Sequence, residues 1–158
     1  MHRLVVTVND SAMLSNLRIA IKQLRGVEQV DTLRDELVDI VTAYNKNHQD
    51  LLHRIDALAQ LVDGWDGADS KVIDAQVIEK VRRVLPKATE QQLDGWVLFP
   101  EAHGYLYLDY TGGNGSAGIT IMPDRLVYFI QKNGKTQKSD GIAFTSSNFL
   151  SILKRVNG

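Results

Sequence analysis

The chain has 158 residues, 44% of them hydrophobic and 23% charged, with a formal net charge of −1; this is the profile of a globular chain with a real core, not of a disordered one. One domain, or one domain with a small appendage, suits that length, and so small a net charge speaks against a whole-surface attraction to nucleic acid or anionic membrane. The absence of cysteine excludes disulfides, thiol nucleophiles, and zinc or iron–sulfur sites built on thiolates.

Near the N-terminus, Leu4-Val5-Val6-Thr7-Val8 is too short for the apolar region of a signal sequence and alternates as a strand does. Asn9-Asp10-Ser11 ends that strand and supplies a helix N-cap at Asp10 or Ser11. Leu14, Leu17, Ile21 and Leu24 follow at helical spacing, and Gly26 stands where a C-terminal glycine belongs. Val27 to Leu33 reads as a second, more polar strand. Residues 1–34 are therefore expected to form a strand–helix–strand module with parallel strands. The shape is similar to half of a ferredoxin-like unit, as in heavy-metal-binding domains. Those carry a C-x-x-C loop where this chain has Asn9-Asp10-Ser11, so a sheet-forming or dimer-forming role is expected in place of metal carriage.

From Glu36 to Val62 there is no glycine or proline. Leu37, Val41, Tyr44, His48, Leu51, Ile55, Leu58 and Val62 step by alternating fours and threes, the heptad spacing of a helix packed on a partner. Val38, Leu52, Ala59 and Leu61 widen the apolar face, which favours a long central helix buried against several neighbours. A helical hairpin or a seam between subunits is the sharper alternative, and the polar tract Asn45-Lys46-Asn47-His48 is a place where the helix can divide. His48, on the apolar seam, reads as a tolerated or register-setting polar residue.

The tetrad Gly64-Trp65-Asp66-Gly67 comes next. Gly64 is placed to end the long helix, and Gly67 to take a positive φ between two helices. Trp65 can bury a large surface at the junction, and Asp66 can accept backbone N–H bonds within the turn. This corner role is favoured over a ligand contact. Asp69 or Ser70 is expected to cap a further helix running through Leu85, with Ile73, Val77, Val81 and Val84 on one stripe and Pro86 after its end. Thr89-Glu90-Gln91-Gln92 has the form of a capping box, with room only for a short turn before Gly95.

The remainder reads as strands. Trp96-Val97-Leu98-Phe99 stops at Pro100. Tyr105 to Tyr110 alternates, placing Leu106, Leu108 and Tyr110 inward and Tyr105, Tyr107, Asp109 and Thr111 on an exposed face. Thr111-Gly112-Gly113-Asn114-Gly115 turns the chain into Ile119-Thr120-Ile121-Met122, and Pro123-Asp124-Arg125 turns it into Leu126 to Ile130. Asn133-Gly134 is a strong hairpin signal. Ile142-Ala143-Phe144 is a last short strand, and Ser146 or Ser147 caps a closing helix through Val156. The expected class is α+β: module 1–34, then a region 35–158 with a long central helix, a further helix, an antiparallel β-meander and a C-terminal helix.

With Ile73, the helix after it and Leu85-Pro86, the tetrad resembles the G-W-D-G motif of uncharacterised bacterial proteins. In those proteins the motif likewise precedes a helix, a proline and a meander with alternating aromatic and acidic positions. The resemblance spans roughly Leu51 to Ile130. Such proteins are often companions of toxin–antitoxin or mobile-element genes, so the resemblance implies a partner-binding bacterial protein and no particular reaction.

The residues themselves assemble no catalytic constellation. His48 and His53 are five apart, which misaligns them as a helical metal pair, and no H-E-x-x-H spacing occurs. His53 with Asp56 reads as a surface pair, and His103 as a residue of a solvated loop. Gly115-Ser116-Ala117-Gly118 lies between strands and is no nucleophile elbow. The glycines from Gly112 to Gly118 lack the G-K-[S/T] ending and the following helix of a phosphate cradle. Lys132, Lys135, Lys138, Lys154 and Arg155 form a basic cluster that can guard a sheet edge or meet nucleic acid beside Tyr128 and Phe129. Catalytic, cofactor-binding and metal-binding residues are thus assigned to none. The structural or interaction candidates are Trp65, Asp66, His48, Tyr107 and Asp109. The expected protein is cytoplasmic, without membrane spans or cofactor. It is expected to act without catalysis by binding a protein partner or itself, in antitoxin-like or immunity-like fashion, and to form an oligomer through its N-terminal strands or long helix. The alternative is a nucleic-acid-binding regulator that uses the basic hairpin and the C-terminal helix.

Overall fold

The computed structural model describes residues 46–158 except Asn114. The expected module 1–34 and the heptad positions Leu37, Val41 and Tyr44 lie outside the described residues.

Helix α1 (Lys46–Leu58) buries Leu51, Ile55 and Leu58. The backbone amides of Asn47 and His48 donate to the carboxylate of Glu90, the latter at 3.4 Å. Glu90 thus fastens the first described turn of α1. The end of α1 is earlier than the heptad pattern implies. Val62 was expected on the seam, yet it lies beyond the helix and is 69% exposed. After Leu58 the chain tightens through short-range bonds, Gln60 N to Ala57 O and Leu61 N to Leu58 O, and enters the turn that holds the tetrad.

Helix α2 (Ala75–Val84) buries Val77, Ile78, Val81 and Val84. Its cap is Asp74, whose carboxylate accepts from Gln76 N at 2.7 Å, in place of the expected Asp69 or Ser70. The reason is tertiary. Lys71 N donates to Ala102 O and Asp74 N to Gly104 O, which holds the chain against a later turn until Ile73 is buried. Leu85–Lys87 forms a single 3₁₀ turn with Pro86 near its start, where proline's missing N–H is not needed. The short helix α3 (Glu90–Leu93) carries the expected capping box between Thr89 and Gln92.

The strands β1 (Trp96–Pro100), β2 (Leu106–Tyr110), β3 (Ser116–Ile121), β4 (Arg125–Lys132) and β5 (Lys135–Ala143) form one antiparallel sheet in sequence order. Asn133 and Gly134 both take positive φ, 52° and 72°, as a two-residue hairpin with the natural strand twist requires. Strand β5 spans nine residues, where a short strand at Ile142 to Phe144 was expected. Lys135-Thr136-Gln137-Lys138-Ser139-Asp140 has no apolar alternation because an edge strand here is solvated on both sides. Helix α4 (Ser146–Asn157) is capped by Thr145, not Ser146 or Ser147; its hydroxyl accepts from Asn148 N at 3.1 Å.

The helices lie on one face of the sheet. Leu98, Leu106, Leu108, Tyr110, Ala117, Ile119, Ile121, Leu126 and Ile130 point into a core with Phe149, Ile152, Leu153 and Val156 of α4 and the buried stripes of α1 and α2. The inward positions of β2 agree with the sequence reading. The opposite parity forms an outer face with no helix of the described residues on it.

Candidate functional site

The tetrad is a closed corner. Gly64 and Gly67 have φ of 84° and 114°, conformations open to glycine at little steric cost. Gly64 N donates to Ser70 O at 2.8 Å, Ser70 N to Gly67 O at 3.0 Å, and Ser70 Oγ to Gly67 O at 2.8 Å. Ser70 is 3% exposed and its hydroxyl also accepts from Asp66 N at 2.9 Å. Asp63, not Asp66, provides the carboxylate that takes Val72 N, at 2.8 Å. Asp66 itself is exposed, so its expected role as acceptor within the turn passes to Ser70 and Asp63. Trp65 is half-buried and spans the corner through its indole N–H, which donates to Lys71 O at 2.9 Å. Gly64 follows the end of α1 at a distance instead of terminating it.

His48 is a staple between α1 and the segment before α3. Its Nδ1 lies 2.6 Å from Glu90 Oε2 and its Nε2 lies 2.8 Å from Ala88 O. A carbonyl only accepts, so Nε2 carries a proton and donates. Glu90 in turn accepts from the first described amides of α1. The sequence placed His48 on the seam of a coil; the structure gives it a polar task in the first described turn of α1.

Tyr107 and Asp109 lie together on the outer face of the sheet, half-buried. Register places Val97, Asp109, Gly118, Phe129 and Lys138 in one row across the five strands, and Phe99, Tyr107, Thr120 and Val127 in the next. Val97 and Phe99 are 40% and 41% exposed. Gly118 makes the face flat: a Cβ there would lie 2.0 Å from Tyr107 Oη and 2.7 Å from Phe129 Cε1. The Tyr107 ring therefore lies down over the glycine, beside Phe129. Burial raises the Tyr107 phenol above its ordinary value of 10.0, and the carboxylates of Asp109 and Glu101 raise it further. Burial likewise raises Glu101, against opposing pulls from a Thr120 hydrogen bond and from His103. The result is an aromatic and aliphatic floor with a carboxyl group on either side of the Tyr107 row, Asp109 on one and Glu101 on the other. Of this face the sequence indicated Tyr107 and Asp109 but missed Gly118, Val97 and Phe99. The usable signal was that Trp96-Val97-Leu98-Phe99 is apolar at both parities, although a two-layer fold buries only one.

The basic residues do not all share one patch: Lys132, Lys135 and Arg155 line one cavity, and Lys138 lies apart from it. Arg155 stacks on Tyr128, 4.9 Å from the ring centroid, and donates to Tyr128 Oη and Gln137 Oε1. Lys132 Nζ donates to Val156 O at 3.0 Å, which stabilises the carbonyl end of α4. Lys138 is paired with Phe129 in register and belongs to the outer face. His103 is exposed in the β1–β2 turn, as expected. Among the described residues no group of three or more His, Asp or Glu side chains could hold a metal ion, and no helix is long and apolar enough to cross a membrane.

Comparison with protein-family models, curated proteins and solved structures finds no match to this chain.

Proposed function

We propose that the chain is a non-enzymatic interaction protein that occludes a surface of a protein partner, in the antitoxin-like or immunity-like manner implied by the G-W-D-G resemblance. One observation carries the reading: the outer sheet face, with Val97 and Phe99 two-fifths exposed and Tyr107, Val127 and Phe129 half-buried beside them. Exposed apolar surface gathered on one rigid, aromatic face is what a protein interface uses. Asp109 and Glu101 favour a partner with basic groups around an apolar centre.

Two tagged forms test this, the native chain and a Phe99→Ser, Phe129→Ser double variant that melts within a few degrees of it. A protein retained by the native chain from its own cell, and lost with the variant, supports the reading. A native chain that runs as a monomer and retains no protein refutes it. The same preparations address self-association through sedimentation. The second reading, a nucleic-acid regulator, rests on Lys132, Lys135 and Arg155 around a single cavity of about 260 Å³. Retention of DNA or RNA that weakens steeply with salt would favour it; no retention at low salt would remove it.

A further inference from the structure

The two edges of the sheet are protected very differently. Strand β5 carries Lys135, Lys138 and Asp140 and a register shift against β4, the usual guards against pairing with another strand. Strand β1 reads Trp-Val-Leu-Phe-Pro, and only Pro100 is a guard of that kind. The hydrogen-bond pattern shows which main-chain groups of β1 remain open. Thr111 N donates to Gly95 O and Glu101 N to Tyr105 O. Bonded pairs alternate in an antiparallel ladder, so Val97 and Phe99 bond to β2, while the N–H and C=O groups of Trp96 and Leu98 point to the edge that no strand of the described residues covers. The bond from Arg54 Nε to Leu98 O, at 3.1 Å, follows that direction.

Along this edge runs a cavity of about 260 Å³, lined by Asn47, Asp50, Leu51 and Arg54 of α1 and by Trp96 to Leu98 of β1. Trp96 is 5% exposed, and its indole N–H has no hydrogen-bond partner among the described residues. Buried donors of this kind normally find an acceptor, so a lining residue carries an unmet demand for one. The charge of the groove also has a sign. Lys46 is matched by Asp50 at 3.0 Å, whereas exposed Arg54 has only its Nε engaged among the described residues, leaving a net positive charge beside the open strand edge.

We propose that this groove binds an extended acidic peptide segment of a partner protein, which adds to β1 as a further strand. Its main chain meets the N–H and C=O of Trp96 and the N–H of Leu98, whose C=O is already held by Arg54 Nε; an acceptor on it meets the Trp96 indole, and a carboxylate meets the Nη groups of Arg54. The site lies on an edge of the sheet and is independent of the outer-face reading.

The test uses the full chain, labelled for amide NMR, and three acetylated hexapeptides. One alternates valine with glutamate, one replaces glutamate by lysine, and one is the glutamate peptide N-methylated at alternate residues. The glutamate peptide is expected to shift the Trp96 indole resonance and to slow exchange of the Leu98 amide by about tenfold or more. The lysine and N-methylated peptides should bind about tenfold more weakly or worse. Arg54→Gln, at an exposed position, should keep the fold and erase the preference for glutamate over lysine; Trp96→Phe should weaken binding of the glutamate peptide. The Phe99→Ser, Phe129→Ser variant should bind the peptide as the native chain does, which separates failure here from failure of the outer face. Three results overturn the proposal: no Leu98 protection at millimolar peptide, equal binding of the lysine peptide, or Leu98 protection that appears without peptide and grows with protein concentration. The last would assign the edge to a second copy.

Discussion

Gly118→Ala isolates the contact that flattens the outer face. An added Cβ would lie 2.0 Å from Tyr107 Oη, and 2.7 Å from both Tyr107 Cζ and Phe129 Cε1. The first distance is about 1.5 Å inside the ~3.5 Å optimum for heavy atoms, so the Tyr107 ring must swing away. Overpacking of this kind costs about 1–3 kcal/mol. The backbone itself offers no objection, because Gly118 does not have a positive φ. Alanine in a strand even recovers about 0.5–1 kcal/mol of backbone entropy. The substitution should therefore be destabilising in the native chain and clearly less so with Tyr107→Ala, where the nearest obstacle is gone and only Phe129 Cε1 must give way. Urea unfolding of the native chain, the two single variants and the double variant gives the coupling directly, through midpoints at constant slope. A favourable coupling of about 1 kcal/mol or more is expected. If the two substitutions are additive within about 0.5 kcal/mol, the ring does not lie over Gly118 and the flat face is wrongly drawn.

The other expectations concern the corner, the staple and the carboxyl on the outer face. Trp65→Ala should cost about 2 kcal/mol, and Trp65→Phe should restore part of it by keeping an aromatic ring while losing the pyrrole portion and its bond to Lys71 O; an unchanged melting temperature with lost partner binding would make Trp65 a contact residue. Glu90→Ala removes the acceptor shared by Asn47 N, His48 N and the His48 ring, and should lower stability by about 1–3 kcal/mol; unfolding identical to the native chain would dismiss the staple. Burial holds the Glu101 carboxyl above its ordinary 4.5, so the folded chain keeps a proton that the unfolded chain has already released. Stability contributed by this group must then fall as pH rises from the ordinary value through the raised one, and Glu101→Gln should remove that fall. Urea midpoints of both proteins from about pH 4 to about pH 7 decide it; a native-minus-variant difference that grows with pH would contradict the sign.

Much of the architecture was legible along the chain because its signals are local. The Thr89–Gln92 capping box is a contact three residues long, the Asn133-Gly134 turn needs only its two positive φ angles, and Leu106, Leu108 and Tyr110 declare their shared face by alternation. The stripe Val77, Val81, Val84 likewise follows from helical spacing alone. None of these depends on a distant partner.

The remaining features were decided by residues far apart in sequence. The first described turn of α1 is held by Glu90, more than forty positions away. The start of α2 is delayed to Asp74 because Ala102 and Gly104 hold the segment before it. Strand β5 exists through pairing with β4, its polar sequence giving no period of its own, and Gly118 looks like a turn residue until Tyr107 lies across it. The sequence by itself determined an α+β chain with a helix, a short capped turn, a meander and a closing helix, since propensity and periodicity act within a few residues. Only the tertiary structure decided where α2 begins, what His48 binds, and which face and edge of the sheet are uncovered among the described residues, since these depend on hydrogen bonds and packing between segments whose spacing along the chain carries no such information.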